Sequence, residues 1–179
     1  MTSQERAEWD EKWNRSRQEL VEAQKETDRQ LKELGKQLGG LGDKFGSFTE
    51  GLALPSMTKI LGRDFHMDKI AARVRARNNG HSMEIDVLAY SRDLAGDAVI
   101  VEVKSHLRED GLEQMRKILR DFRDFFPEHA HRKIYGILAV VDAPDDLREK
   151  VLREGIYLAR IHDGQFEIQV PESFQPRAF

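Results

Sequence analysis

The segment Lys133–Val141 is almost continuously apolar and reads KIYGILAVV. An apolar run of this length, without the alternation of a half-exposed strand, is typical of a β-strand that is buried on both faces. Helical periodicity precedes it over Glu109–Phe125, and the Pro-Asp-Asp sequence at 144–146 is a typical helix start. A buried strand between two amphipathic helices predicts a mixed α/β fold.

Three antiparallel strands are predicted before the first of these helices. Alternating small apolar and arginine residues indicate a strand over Ala71–Arg77, and an Asn-Gly turn signal separates it from the second strand, Met83–Tyr90. A turn at Gly96 leads into the third strand, Ala98–Lys104. Upstream of all three, Phe45–Leu61 has the apolar face of a helix. After the last helix, a terminal hairpin is predicted over Ile156–Ile161 and Phe166–Val170.

Residues 1–38 are dominated by Glu, Gln, Lys, Arg and Leu, which favour a helix. Toward the end of this stretch, apolar residues recur in alternating steps of three and four, which is the a/d spacing of a coiled coil. They are Leu31, Leu34, Leu38, Leu41 and Phe45. The same register meets the polar Gln24 and Arg17 further upstream, so we expect a weak association.

Three glycines, Gly39, Gly40 and Gly42, end this predicted helix. We therefore expect a coiled-coil helix over residues 1–42, which makes the protein a homo-oligomer, and a globular domain over residues 43–179. The alternative is a solvated helix that folds back onto the globular domain.

The chain has 179 residues and no cysteine, which excludes disulfides, thiolate zinc sites and a cysteine nucleophile. It contains no apolar stretch near the ~20 residues that a membrane span needs, and its first residues do not resemble a signal peptide. We therefore expect a cytoplasmic protein with no membrane association and no small-molecule cofactor.

The charges of the chain nearly balance, with 29 Lys and Arg against 32 Asp and Glu and a net charge of −3. Any nucleic-acid binding must therefore come from a local patch. The concentrated basic stripe is formed by Arg73, Arg75 and Arg77, aided by Lys69. Guanidinium groups on one strand face lie roughly 7 Å apart, which is close to the spacing of phosphates, so these are candidate nucleic-acid-binding residues. The alternative is an edge strand that its charges protect from aggregation.

The third strand contains VIVEVK and therefore ends with Glu102 and Lys104 among apolar residues. Burying an unpaired charge destabilises a fold by several kcal/mol, so both residues need a partner or a function. Strand alternation puts them on one face together with Ile100. A plain salt bridge between them, or a pair of Lys104 with Glu84 across the hairpin, is the structural alternative.

A hairpin folded symmetrically about Leu94–Ala95 pairs residues whose numbers add up to about 188 or 189, which sets Asp86 opposite Glu102 or its neighbour. Regular alternation places the following residues of the second strand on one face: Glu84, Asp86, Leu88 and Tyr90. Directly opposed side chains lie only ~5 Å apart. Two carboxylates at that distance require a cation between them, and Mg²⁺ suits oxygen ligands. Lys104 would then orient or deprotonate a metal-bound water.

Asp86, fifteen further residues and then Glu102-Val103-Lys104 resemble the D…(D/E)-x-K motif of the PD-(D/E)XK nuclease superfamily. The predicted order of elements is similar to the αβββαβ core of that superfamily, the restriction-endonuclease-like fold. More narrowly, the region from Gly46 to about Leu158, with a coiled coil in front, resembles a family of bacterial coiled-coil proteins placed in the superfamily. One departure is Ile85, where proline is common in the superfamily.

The resemblance implies a metal-dependent nuclease that hydrolyses phosphodiester bonds, in DNA above all, by in-line attack of a Mg²⁺-activated water, with Mn²⁺ as a substitute ion. The implied metal ligands are Asp86, Glu102, the Val103 carbonyl and Glu50. Lys104 would position the attacking water, and Gln114 matches a glutamine of some members. The implied catalytic set is Glu50, Asp86, Glu102, Lys104 and Gln114.

Two other functions stay open at this point. One is a catalytically silent nucleic-acid-binding or scaffold protein with the same fold, and the other is a coiled-coil adaptor whose globular end binds proteins. The set of Asp86, Glu102 and Lys104 counts against the silent protein, because buried charges without a function destabilise a fold. An oligomer would suit a nuclease, since two sites are needed to cut both strands of a duplex. For Glu50 the alternative is a solvated helix residue.

Overall fold

A computed structural model describes residues 12–13, 15–20, 22–23, 26, 29–30, 51 and 53–179. The chain divides into two units, Met1–Lys44 and Phe45–Phe179. The described residues of the first unit are helical, and its Trp13 and Leu20 are largely exposed. The heptad leucines and the three glycines lie outside the described residues, so the coiled coil and the homo-oligomer stay predictions. None of the described helices has the length and apolar character that crossing a membrane requires.

The second unit contains a six-stranded mixed sheet in the order β1-β2-β3-β4-β5-β6. The strands are β1 (Lys69–Asn78), β2 (His81–Tyr90), β3 (Asp97–His106), β4 (Lys133–Asp142), β5 (Tyr157–His162) and β6 (Gln165–Ile168). β1, β2 and β3 are antiparallel, β3, β4 and β5 are parallel, and β6 returns antiparallel to β5. The predicted mixed α/β fold, with three antiparallel strands and a terminal hairpin, is confirmed.

Three helices accompany the sheet. Helix α1 covers residues 53–63, α2 is Glu109–Phe125 and α3 is Asp145–Arg153, while Pro127–His129 form a short 3₁₀ turn. The apolar stripe of α2 is buried as the 3.6-residue period requires. It consists of Leu112, Met115, Ile118, Leu119 and Phe122. The observed order, helix, three strands, helix and strand, matches the predicted αβββαβ sequence of elements.

Two apolar layers cover opposite faces of the sheet. The α2-side core joins the apolar residues of α2 and α3 to Ile100 and Leu138, and the α1-side core joins those of α1 to Val99, Val101 and Ile137. The even-numbered residues of β3 therefore face α2, as alternation predicts. Because β3 and β4 are covered on both faces, a charged residue on either strand is buried unless it lies at a strand end.

β2 does not keep one alternation along its length. Met83, Ile85 and Leu88 pack in the α2-side core, whereas Val87 and Ala89 pack in the α1-side core. The strand therefore changes face around position 86, and the prediction that Glu84, Asp86, Leu88 and Tyr90 share one face is wrong.

The neighbouring strand β1 changes face at the same level. Ile70 packs against the α1-side core, but Val74 and Ala76 pack against the α2-side core. Between these positions, Arg73 has a φ of 53°, in the left-handed region. This single left-handed residue rotates the strand, which is why regular alternation fails here.

Candidate active site

The side chains of Asp86 on β2 and Glu102 on β3 each accept a hydrogen bond from a backbone N–H of the other strand. The last regular pair of the two strands is Val87 with Val101, whose numbers add up to 188 as predicted. Just beyond it, Oδ2 of Asp86 accepts the N–H of Val103 at 2.8 Å. In return, Oε1 of Glu102 accepts the N–H of Asp86 at 3.4 Å. Each carboxylate is therefore held against the other strand, and the two acids are neighbours.

Glu102 is the most unusual member of this pair, because it is 1% exposed. Its pKa is raised from 4.5 to about 7, first by burial and then by the negative charge of Asp86, while Lys104 and the hydrogen bond from the Asp86 N–H oppose the rise. An ionised Glu102 next to Asp86 is thus unfavourable without additional positive charge. This is the electrostatic condition in which a pair of carboxylates attracts a cation.

Lys104 and Gln114 complete a closed polar cluster on the α2 side of the sheet. The Lys104 Nζ donates to Oε1 of Gln114 at 2.9 Å, and Nε2 of Gln114 donates to Oε2 of Glu102 at 3.2 Å. Lys104 Nζ also lies 3.5 Å from that same Glu102 oxygen. The amide of Gln114 is therefore oriented by a cation at its oxygen and by a carboxyl group at its nitrogen.

The structural alternatives for Lys104 are resolved by these contacts. Glu84 lies 3.0 Å from Arg75 in an exposed ion pair, so the pair of Lys104 with Glu84 is not formed. Lys104 does pair with Glu102, but as one side of the cluster with Gln114 rather than as an isolated salt bridge. The aliphatic stem of Lys104 passes close to Gly111, where an added Cβ would lie 3.7 Å from its Cγ and Cε.

A cavity lies next to the cluster on each side of β3. Toward α1, a cavity of about 250 Å³ is lined by Asp86, Val103 and Arg73, with Leu54 of α1 on its wall. Toward α2, a second cavity of about 380 Å³ is lined by residues that include Lys104, Gln114 and His106. The first cavity therefore gives access to Asp86, and the second gives access to Lys104.

The described residues offer a small set of ligands for a metal ion. No group of three or more His, Asp or Glu side chains suited to a metal occurs among them. Glu50, the predicted further ligand, lies outside the described residues. Asp86, Glu102 and the carbonyl of Val103 are left, and Mg²⁺ is commonly bound through only one or two carboxylates with water as its other ligands. The half-buried Asp86 beside the buried Glu102, whose pKa is raised, therefore fits a divalent ion.

No family model and no curated protein sequence matches this chain. Among solved structures, it is similar to a repair endonuclease from Pyrococcus abyssi, with 15% identity and a TM-score of 0.40 over 62% of this chain and 47% of that one. It is also similar to EndoMS in a complex with double-stranded DNA, with 16% identity and a TM-score of 0.39 over 62% of this chain and 44% of the other. The matched region covers less than half of either of these two neighbours.

The residues of the predicted basic stripe lie on two different faces of the sheet. Arg75 and Arg77 lie on the side of β1 opposite Val74 and Ala76, and both are exposed. Lys69 instead lies over the ring of Tyr90, 5.9 Å from its centroid, and Tyr90 packs against the α2-side core. Lys69 is therefore on the other face, so the expectation that it aids the arginine stripe is not supported by its position.

A pair at the ends of two parallel strands was not predicted from the sequence. His106 and Asp142 are opposite each other on β3 and β4, and His106 Nδ1 lies 2.6 Å from Asp142 Oδ2. His106 also lines the cavity beside Lys104. The two strand ends could have indicated this pair, because the last residues of adjacent parallel strands meet at one edge of a sheet.

Proposed function

We propose that this chain is a metal-dependent nuclease that hydrolyses phosphodiester bonds, with DNA as its main substrate and Mg²⁺ as its ion, for which Mn²⁺ substitutes. The observation that carries the proposal is the buried Glu102 beside Asp86, with Lys104 and Gln114 bound to it in one cluster. A structural ion pair needs neither the second carboxylate nor the two adjoining cavities. The combination instead suits charge stabilisation at a phosphate.

In this proposal Asp86, Glu102 and the Val103 carbonyl hold the metal ion, with Glu50 as a further ligand. When bound, the ion supplies Lewis acidity toward the phosphoryl oxygen and lowers the pKa of water. Glu102 must be ionised to act as a ligand, so binding of a cation releases its proton. The reciprocal hydrogen bonds hold the two carboxylates in place before the ion arrives, which reduces the reorganisation that binding needs.

Lys104 would position the attacking water. Its ammonium group lies 2.9 Å from the Gln114 amide oxygen, so its position is set by α2 as well as by β3. Gln114 in turn restrains Oε2 of Glu102. We infer that Gln114 is a positioning residue, since it contacts both the lysine and the buried carboxyl group.

The test is a cleavage assay on single-stranded, duplex and branched DNA and on RNA, with Mg²⁺, Mn²⁺ or EDTA. Asp86→Asn and Lys104→Met should abolish metal-dependent cleavage. Glu84→Gln is the matched control, because Glu84 is an exposed carboxylate two residues before Asp86 on the same strand. We expect this control to keep wild-type activity. Cleavage that survives in Asp86→Asn would refute the proposed site, and binding without cleavage by the wild type would favour the silent nucleic-acid-binding protein.

A further inference from the structure

Arg73 has a backbone conformation that its surroundings must impose. Among the described residues, four that are not glycine have a positive φ: His66, Arg73, Asn79 and Asp163. The other three lie between secondary-structure elements, whereas Arg73 is inside β1. A residue with a Cβ is strained in the left-handed region, and such strain persists where the rest of the structure stabilises it, which is often at a functional site.

The strained residue lies next to the candidate metal ligands. Ala72 pairs with Val87 and Val74 pairs with Ile85, so Arg73 and Asp86 occupy the level at which both strands change face. The cavity of about 250 Å³ toward α1 is lined by Arg73, Asp86 and Val103 together. The change of face is therefore the local feature that brings Arg73 and Asp86 to one cavity.

A phosphate in this cavity would need a positively charged side chain beside it. The Asp86 carboxylate repels a phosphodiester, and a guanidinium group offers two parallel N–H donors that match phosphate oxygens. Of the described residues that line the cavity, Arg73 is the one with a positive charge. Lys104 does not take this role, because it lies in the other cavity, toward α2.

We propose that Arg73 is a substrate-positioning residue: its guanidinium group binds the phosphate that lies at the Asp86–Glu102 centre, and the left-handed backbone at Arg73 directs it there. This inference rests on the proposed nuclease function and deepens it. It also separates Arg73 from the rest of the basic stripe. Arg75 lies farther along β1 and does not line this cavity, so it is not assigned to the phosphate.

Arg73→Gly tests the inference, because glycine adopts a φ of 53° without strain and so keeps the backbone while it removes the side chain. We expect an unchanged or raised unfolding midpoint, with kcat/KM for duplex DNA reduced roughly 10- to 100-fold, as for the loss of a hydrogen-bonded charged group. The loss should fall mainly on KM, and DNA binding measured by fluorescence anisotropy with Ca²⁺ in place of Mg²⁺ should weaken by a similar factor. Added guanidinium ion should restore part of the activity.

Arg153→Ala is the control for the loss of one exposed positive charge, because Arg153 lies in the last turn of α3 and is not part of the candidate site. We expect it to keep kcat/KM within about threefold, as is usual for an exposed substitution. Equal losses in the two variants would overturn the assignment of Arg73, and so would wild-type kcat/KM in Arg73→Gly while Asp86→Asn is inactive. In that second case the nuclease function stands. A wild-type protein that neither binds nor cleaves DNA overturns the function and the inference together.

Discussion

We predict that Glu102→Gln gains stability relative to the wild type as the pH rises in the absence of metal. Burial, and then the charge of Asp86, raises the pKa of Glu102 from 4.5 to about 7 in the folded protein. A carboxyl group with a raised folded-state pKa contributes stability fully below its unfolded value and loses it as the pH rises through the folded value. The wild type should therefore lose roughly 3 kcal/mol between about pH 4.5 and pH 8 through this group.

The glutamine variant lacks this titration, but its amide nitrogen replaces one of the two Glu102 oxygens and cannot accept the hydrogen bond from the Asp86 N–H or from Gln114. We therefore expect Glu102→Gln to be less stable than the wild type at about pH 5. The difference should shift in favour of the variant by roughly 3 kcal/mol on going to about pH 8. The decisive measurement is therefore the sign of this shift between pH 5 and pH 8, and not the stability at one pH.

Urea unfolding followed by circular dichroism, in EDTA at several pH values, measures this shift. Glu84→Gln is the control, because it removes a carboxylate whose side chain is 54% exposed. Its difference from the wild type should be small, because an exposed ion pair contributes little to stability. If the difference between Glu102→Gln and the wild type is the same at pH 5 and pH 8, the assigned burial and repulsion of Glu102 are wrong.

The same experiment with Mg²⁺ tests the metal site apart from catalysis. A ligand that binds only the folded state at 100 times its Kd stabilises it by about 2.7 kcal/mol. We expect stabilisation of the wild type at pH 8 and much less at pH 5, since the ion competes with the proton on Glu102. Asp86→Asn should show none at either pH. Equal stabilisation of the wild type and Asp86→Asn would place the ion elsewhere.

Three further predictions concern packing, positioning and assembly. Gly136→Ala should lower the free energy of unfolding by about 1–3 kcal/mol, because an added Cβ would lie 2.5 Å from Cε of Met115; an unchanged urea midpoint would contradict this close contact. Gln114→Leu should lower kcat/KM roughly 10- to 100-fold with little effect on the urea midpoint, and full activity would exclude a positioning role. Leu34→Lys should convert the predicted homo-oligomer into a monomer in sedimentation analysis, and an unchanged mass would argue against the coiled coil.

Most of the sheet was predictable because its central strands are buried. The continuous apolar run of β4 and the alternation of β3 follow directly from the two layers that cover them. The ends of the β1–β2 ribbon were not predictable from this signal. β1 begins at Lys69 and β2 at His81, both earlier than the apolar pattern indicates. At the turn between them, the two strands are held by backbone pairing, such as Asn78 with His81, which an apolar pattern does not indicate.

The change of face in β2 did leave a trace in the sequence. Met83 and Ile85 alternate with polar residues, but Val87, Leu88 and Ala89 are continuously apolar. The first half of the strand contributes to the α2-side core alone, whereas the second half contributes to both cores, and this is the physical reason for the change. The conformation of Arg73 left no such trace, because an arginine in a left-handed conformation is specified by tertiary contacts and not by its neighbours in sequence.

The candidate site itself was predictable only in part. Glu102 and Lys104 were identified from the energetic penalty of two charges in an apolar strand. Glu102 is buried, in agreement with that reasoning, whereas the side chain of Lys104 is 25% exposed. The contact of Gln114 with both of them depends on how α2 packs across the sheet, which spacing along the chain does not determine. Only the resemblance pointed to it. The pairing of His106 with Asp142 likewise required the parallel register of β3 and β4.

The charges around the proposed centre explain how a nearly neutral chain would bind a polyanion. Asp86 and an ionised Glu102 are balanced by Lys104 and Arg73, so the metal-free centre at high pH has no net attraction for a phosphate. Protonation of Glu102 below its pKa of about 7 leaves an excess positive charge, and a bound divalent ion leaves a larger one. DNA binding in EDTA should therefore strengthen as the pH falls from 8 to 5, and Mg²⁺ or Ca²⁺ should strengthen it most at pH 8. Fluorescence anisotropy at constant ionic strength measures both trends, and a metal effect of equal size at pH 5 and pH 8 would show that Glu102 is not the group that links the ion to the nucleic acid.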